Sequence, residues 1–261
     1  MRSTRSSRVR LEWLCPRVLL RERPSCFLTP GRLIESRLDF QRRVSMITQT
    51  TPATRLDLIR HGEPVGGRRF RGDAVDDPLS ELGWQQLERR LAMVEARGEA
   101  DWDVIATSPM RRCRAFAASV AERRGLELVV DPDLREIGFG PWEGLRHAEI
   151  PERYPEQHAA FLADPVDGRP PGSEPMADFF ERVTRGLARL ETNHAGQSVL
   201  VLSHAIVMRA ACAWVLNAPM AAIAKVETEY AAMLSIRHNH RGRRLLGLDN
   251  GLDNDLPGDG A

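Results

Sequence analysis

The sequence predicts an α/β domain over about residues 53–248, on three observations. Short apolar runs alternate with stretches whose apolar residues recur at helical spacing. Polar clusters rich in His and Arg follow three of those runs, at the C-terminal strand ends where open α/β sheets place their ligand crevices. No internal repeat divides the stretch.

Taken in order, residues 56–59 form a short, mostly apolar run suited to a buried strand. Ser80 offers an N-cap with Glu81 in the first turn, and Trp84, Leu87, Leu91 and Val94 recur at helical spacing. Residues 104–106 give a second strand. Ser108 and Pro109 open the next helix as N-cap and first position, with Cys113, Phe116, Ala117 and Val120 as its apolar stripe. Residues 126–130 read as a third strand. Met176, Phe179, Phe180, Val183, Leu187 and Leu190 form the most regular helical face in the chain. Arg182, Arg185 and Arg189 repeat on that helix and read as its solvated side. Residues 198–202 are a strongly apolar strand leading into an apolar helix that runs to about Leu216, and residues 233–237 and 245–248 are candidate edge strands.

Residues 1–50 differ from the rest, being rich in Arg and poor in acids, with neither sustained alternation nor a helical period. They are expected to be disordered or loosely packed. Three origins are open: an upstream start with Met46 the true initiator, a targeting segment, or a functional tail. Residues 51–250 are expected to form the domain, and residues 251–261, rich in Asp and Gly, a frayed tail.

Composition narrows the class. A chain of 261 residues with 42% hydrophobic and 28% charged residues is ordinary for a soluble globular protein. A net charge of +1 gives no case for nucleic acid or a membrane surface, and no apolar run approaches the roughly 20 residues that cross a bilayer. Cys15, Cys26, Cys113 and Cys212 are scattered without metal-ligand or disulfide-scaffold spacing, which favours a reducing compartment, read as the cytoplasm.

The polar clusters are Arg60-His61-Gly62 after the first strand, residues 108–112 after the second, and Ser203-His204 after the long apolar strand. These residue types suit a phosphate. Arginine offers a permanently charged fork that matches phosphate oxygens. Arg112 lies in the first turn of its helix, where backbone N–H groups and the dipole add to an anion site. A neutral imidazole can attack phosphorus and divide a hard step into two. Gly62 permits a tight turn or close backbone approach to a ligand. The chain shows no GxxxxGK[ST] loop and no carboxylate cluster of the kind that holds Mg²⁺ for phosphoryl transfer.

Leu58-Ile59-Arg60-His61-Gly62-Glu63-Pro64 resembles the RHG signature of the histidine phosphatase superfamily, also called phosphoglycerate mutase-like. Three further segments agree in order: Ser108-Pro109-Met110-Arg111-Arg112, the acid-bearing loop over residues 134–144, and the strand ending in His204. The resemblance implies a three-layer sandwich with a mostly parallel central sheet flanked by helices. It implies that His61 is the nucleophile, that Arg60, Arg112 and His204 bind the phosphoryl oxygens, with His204 cationic in the loaded site, and that Glu136 gives and takes the proton. Glu143 in the same loop and Glu63 beside His61 are the other carboxylates near these motifs; Glu63 is expected to orient the loop, and His147 to lie at the surface or behind the site. Gly62, Arg68 and Arg71 are the remaining candidate substrate contacts, with Arg69 an alternative among the arginines of that loop.

Several segments resemble alpha-ribazole phosphatase-like members more than the mutases. The implied activity is hydrolysis of a small phosphomonoester, with no metal and no cofactor. A mutase-type transferase and a non-catalytic phospho-ligand binding protein are the alternatives. The expected partner is a small phosphorylated substrate, with no nucleic acid and no membrane, and a homodimer is a candidate assembly. Gly172-Ser173-Glu174-Pro175 and Ala205-Ile206 depart from the family pattern, which bears on substrate shape. Deleting residues 1–45 is predicted to leave activity and melting temperature intact; a large loss of either contradicts the expectation of a dispensable extension.

Overall fold

Central strands buried on both faces, with side chains pointing alternately to either side, build two cores, one on each face of a single sheet. In the computed structural model, which describes residues 52–251, the strands are β1 (Thr54–Arg60), β2 (Val104–Thr107), β3 (Glu127–Val130), β4 (Ser198–Ser203), β5 (Met233–Asn239) and β6 (Gly242–Asp249). Each agrees with a predicted run and extends some of them by a residue or more. The expectations for residues 1–50 and for the tail lie outside the described residues, apart from Gly251 of the tail.

The helices are α1 (Glu81–Ala96), α2 (Arg111–Arg124), α3 (Glu149–Arg153), α4 (Pro155–Ala163), α5 (Met176–Asn193) and α6 (Ala205–Val215). The sheet order is β3-β2-β4-β1-β5-β6. β1 pairs parallel with β4, and β2 parallel with both β3 and β4. β5 is antiparallel to β1 and to β6, which ends the sheet as a hairpin. The sheet is therefore mixed but mostly parallel, and the predicted central strands are neighbours.

Leu56, Leu58, Val104, Val199 and Val201 face one core, which they share with Phe179, Val183 and Leu187 of α5 and Met208 and Ala211 of α6. Ile59, Ile105, Leu200 and Leu202 face the other, against Leu87 and Leu91 of α1 and Phe116 and Val120 of α2. The period of two along each strand thus sorts the helices into two outer layers, giving the three-layer sandwich.

Three local readings need correction. The helix α2 starts at Arg111 with Met110, not Ser108, as its N-cap, and no side chain caps it. Ser108 and Pro109 lie in the connection before it, and the Ser108 hydroxyl has other partners, described below. The short helices α3 and α4 and the 3-10 turns at Pro132–Leu134, Gly140–Trp142 and Met220–Lys225 had no periodic signal. Arg182 is not solvated but 5% exposed. Its neighbours in the row, Arg185 and Arg189, reach Asp133 and Asp131, at 3.0 and 2.6 Å. Arg185 stays exposed and Arg189 partly so, as expected of a solvated row, while Gly186 between them lets the turn at Pro132–Leu134 approach, since a Cβ there would lie 3.0 Å from Asp133 Cβ.

Phe179 is fully buried in the α5 core. Phe179→Ala is predicted to cost about 3–5 kcal/mol through lost burial and a residual cavity, read as a lowered denaturant midpoint; a loss near zero would contradict this packing.

Candidate active site

The three polar clusters converge because β2, β4 and β1 are adjacent and parallel, so their C-terminal ends open on one side. Arg60 pairs in register with Ser203, and Thr107 with Leu202. The His61 amide continues the ladder by donating to the Ser203 carbonyl at 2.9 Å. His61 and His204 stand with ring centroids 5.3 Å apart at an interplanar angle of 66°.

His61 is buried, and its Nδ1 lies 2.7 Å from the Gly62 carbonyl oxygen. A carbonyl only accepts, so Nδ1 carries the proton and Nε2 keeps its lone pair. Burial, together with the charges of Arg112 and Arg60, holds the His61 imidazole well below its ordinary pKa of 6.5. His204, fully buried at the N-cap of α6, is pushed the same way, by burial first and by Arg112 and His61 next. Its Nε2 lies 2.7 Å from the Ser108 hydroxyl, and the Cys113 thiol stands 3.6 Å from the same nitrogen. Both shifts favour the neutral ring, so a cationic His204 would need an anion beside it.

Arg112 is buried, donating to the carbonyls of Val75 at 3.0 Å and Gly72 at 2.9 Å, with Nε unpartnered. Arg60 donates to the Thr228 carbonyl at 2.6 Å, also with Nε unpartnered, and its guanidinium lies 4.2 Å from the centroid of the Tyr230 ring. Glu136, in the loop after the turn at Pro132–Leu134, is buried. Burial pushes its carboxyl up, against the pull of Arg112. The amides of Ile137 and Ile206 donate to its two oxygens, at 3.2 and 3.4 Å.

The remaining candidates divide. Arg71 is buried, bonded to Asp77 at 3.0 Å and the Val65 carbonyl at 2.8 Å, and its charge adds to those depressing His61. Arg68 is exposed and pairs with Glu229 at 3.3 Å, while Arg69 turns back to the Gly66 carbonyl. Gly62 is required for packing rather than for an open ligand approach, because a Cβ there would lie 2.1 Å from the Gly83 carbonyl of α1. Glu143 braces two loops, accepting from the amides of Phe139 and Ala74 at 2.7 and 2.9 Å, so the loop's second carboxylate is already occupied. Glu63 accepts at its carbonyl from the amide and hydroxyl of Ser80, which ties the His61 loop to α1.

Sequence reasoning missed Tyr230, whose ring lies 5.9 Å from that of His61. It also missed Ser108 as the partner of His204. Neither residue carries a spacing signal of its own. Among the described residues no group of three or more His, Cys, Asp or Glu could hold a metal ion, and no helix is long and apolar enough to cross a membrane.

Paired histidines among buried arginines, at the strand ends of a mostly parallel α/β sheet, define a phosphoglycerate mutase-like protein. The chain belongs to the histidine phosphatase superfamily (branch 1), whose pattern matches residues 56–251. It is 39% identical over 152 residues to a bifunctional protein of Mycobacterium tuberculosis, covering 58% of this chain but only 41% of that one. It is 33% identical over 160 residues to phosphoserine phosphatase 1 of Hydrogenobacter thermophilus, covering 60% of this chain and 73% of the relative. Among solved structures, the alpha-ribazole phosphatase of Shigella flexneri superposes with a TM-score of 0.66 at 27% identity, covering 76% of this chain and 96% of that one.

Two histidines that resist protonation in the folded state give stability a sign. The unfolded chain begins to bind protons at them near pH 6.5, the ordinary value, and the folded chain does so only well below it. We predict that stability falls as pH drops from that value, by up to about 1.4 kcal/mol per pH unit for each histidine. Phosphate should flatten the slope by favouring the imidazolium. Denaturant midpoints between neutral and mildly acidic pH check this; a flat profile without phosphate would refute it.

Proposed function

We propose that the protein hydrolyses small phosphomonoesters without a metal, through a phosphohistidine at His61. The observation that carries this reading is the His61 Nδ1 bond to the Gly62 carbonyl, which leaves Nε2 as the nucleophilic nitrogen.

The phosphoryl group is held by Arg60, Arg112 and His204, the last becoming cationic beside the dianion. The two guanidiniums, Arg112 buried and Arg60 half-buried, each with an unpartnered Nε, supply the positive charge that phosphoryl transfer requires. His61 Nε2 forms a bond to phosphorus while the ester P–O bond breaks, and the leaving oxygen takes the proton of Glu136. A carboxyl raised by burial is suited to hold that proton near neutral pH. In the second half, water attacks phosphorus, the N–P bond breaks, its electron pair returns to Nε2, and the Glu136 carboxylate takes the water's proton.

Relatives named for phosphoserine and for alpha-ribazole support a small phosphorylated metabolite as substrate. Alpha-ribazole 5′-phosphate is the first to test, with phosphoserine and glucosyl-3-phosphoglycerate beside it, since relatives named for each match this chain. The expected site of action is the cytoplasm.

The test is hydrolysis of a chromogenic aryl phosphate by the wild type and His61→Ala in EDTA, followed by a substrate panel that includes alpha-ribazole 5′-phosphate. Turnover that resists EDTA in the wild type and falls to background in the variant is expected. Absence of turnover on any monoester by folded protein would move the reading to a mutase or a binding protein.

A further inference from the structure

The general-acid candidate sits on a loop, not on a strand or helix, yet proton transfer needs its carboxyl held to within a few tenths of an ångström. The two amides on its carboxylate are long, at 3.2 and 3.4 Å, and cannot set the path of its backbone. Arg169 and Glu143 hold the loop further on, at the Gly138 carbonyl and the Phe139 amide, and one side chain holds the stretch through Glu136 itself. Arg182 of α5 donates through one terminal nitrogen to the carbonyls of Asp133 and Arg135, both at 2.8 Å, and through the other to the carbonyl of Glu136 at 3.0 Å. Its charge is met by Glu174 in a bidentate pair at 2.6 and 2.7 Å, and its guanidinium lies over its own helix's Phe179 ring at 4.8 Å.

Glu174 extends the strap. Its second oxygen accepts from the Gly138 amide at 3.3 Å, and its own amide donates to the Gly138 carbonyl at 3.1 Å. Residues on both sides of Glu136 are therefore tied to one ion pair. The pairing also limits the electrostatic effect on the acid. An uncompensated buried guanidinium beside Glu136 would favour its carboxylate form, whereas a neutral pair positions the segment with little pull on the proton.

We propose that Arg182, locked by Glu174, is a positioning residue that aims the Glu136 carboxyl at the leaving oxygen. The proposal rests on the reading of Glu136 as proton donor. It does not touch substrate: Arg182 acts only through the backbone of residues 133–136.

Leaving-group dependence separates aiming from mere stability. An ester of 2,4-dinitrophenol departs without needing a proton, while an alkyl phosphate needs one, so kcat/KM, which reports phosphorylation of the enzyme, should respond selectively. Arg182→Lys, Arg182→Gln and Glu174→Gln are compared with wild type on both esters, with circular dichroism and melting to confirm folding. Arg182→Lys keeps the charge but not the fork, so it carries the test if Arg182→Gln does not fold, while Glu174→Gln leaves the Arg182 charge unpaired and counts only beside a selective loss in Arg182→Lys. The expected result is a loss on the alkyl phosphate about tenfold or more greater than on the dinitrophenyl ester, within the range general acids supply. Equal losses on both esters would overturn the proposal and leave a structural ion pair. Glu136→Gln is run beside them. If it too loses both substrates equally, the proton-donor reading falls and the positioning role falls with it. If it is selective while the Arg182 and Glu174 variants are not, only the positioning role fails.

Discussion

Arg60 and Arg112 stand beside a buried imidazole with backbone carbonyls, not carboxylates, as their partners. Removing charged groups from water is costly unless dipoles or counter-charges replace the lost hydration, and carbonyl dipoles do so incompletely. Neither arginine forms an ion pair among the described residues, and each keeps a buried Nε without an acceptor. The deficit is one of negative charge and of acceptors, located next to His61. A phosphoryl dianion supplies both. Burial first, and the same positive field after it, push His61 and His204 toward the neutral form, which is the state a nitrogen nucleophile needs. Burial meanwhile works on Glu136 in the other direction, toward the protonated form. One and the same burial thus favours the uncharged form of both the imidazole and the carboxyl, because it acts against whichever form is charged.

The sheet makes this arrangement possible. Three parallel neighbours, β2, β4 and β1, end at one side of the molecule, and each end delivers one part of the cluster. The two cores pinned on either face keep those ends in register, so the histidine rings meet at 5.3 Å from chain positions far apart in sequence. The acid comes from outside this frame, on an irregular loop, and so depends on side-chain hydrogen bonds where the histidines depend on strand ladders. The Arg182–Glu174 pair holds the backbone on both sides of Glu136, a support the strand ladders give the histidines.

Much of this was legible in the sequence. Strands buried on both faces announce themselves as apolar runs, and polar residues straight after such runs have few roles other than a site. What stayed hidden had physical reasons. Arg182 belongs to a helical row of arginines that reads as solvated, and the approach of the turn at Pro132–Leu134, allowed by Gly186, buries Arg182 while Arg185 and Arg189 keep much of their exposure. Ser108 looks like a helix cap, but the helix starts three residues later and frees its hydroxyl for His204. Gly62 looks like a ligand approach, and its constraint is the Gly83 carbonyl. Tyr230 reaches the site through a turn in which Ala231 takes φ 55°, a left-handed conformation that no local pattern announces.

The most direct measurement is the covalent state of His61 itself. Protein mixed briefly with substrate, quenched in base where phosphoramidates survive, and mapped by peptide mass spectrometry should carry phosphate on His61, bound through Nε2. Phosphate on another residue, or none during steady turnover, would contradict a histidine nucleophile prepared by the surrounding arginines.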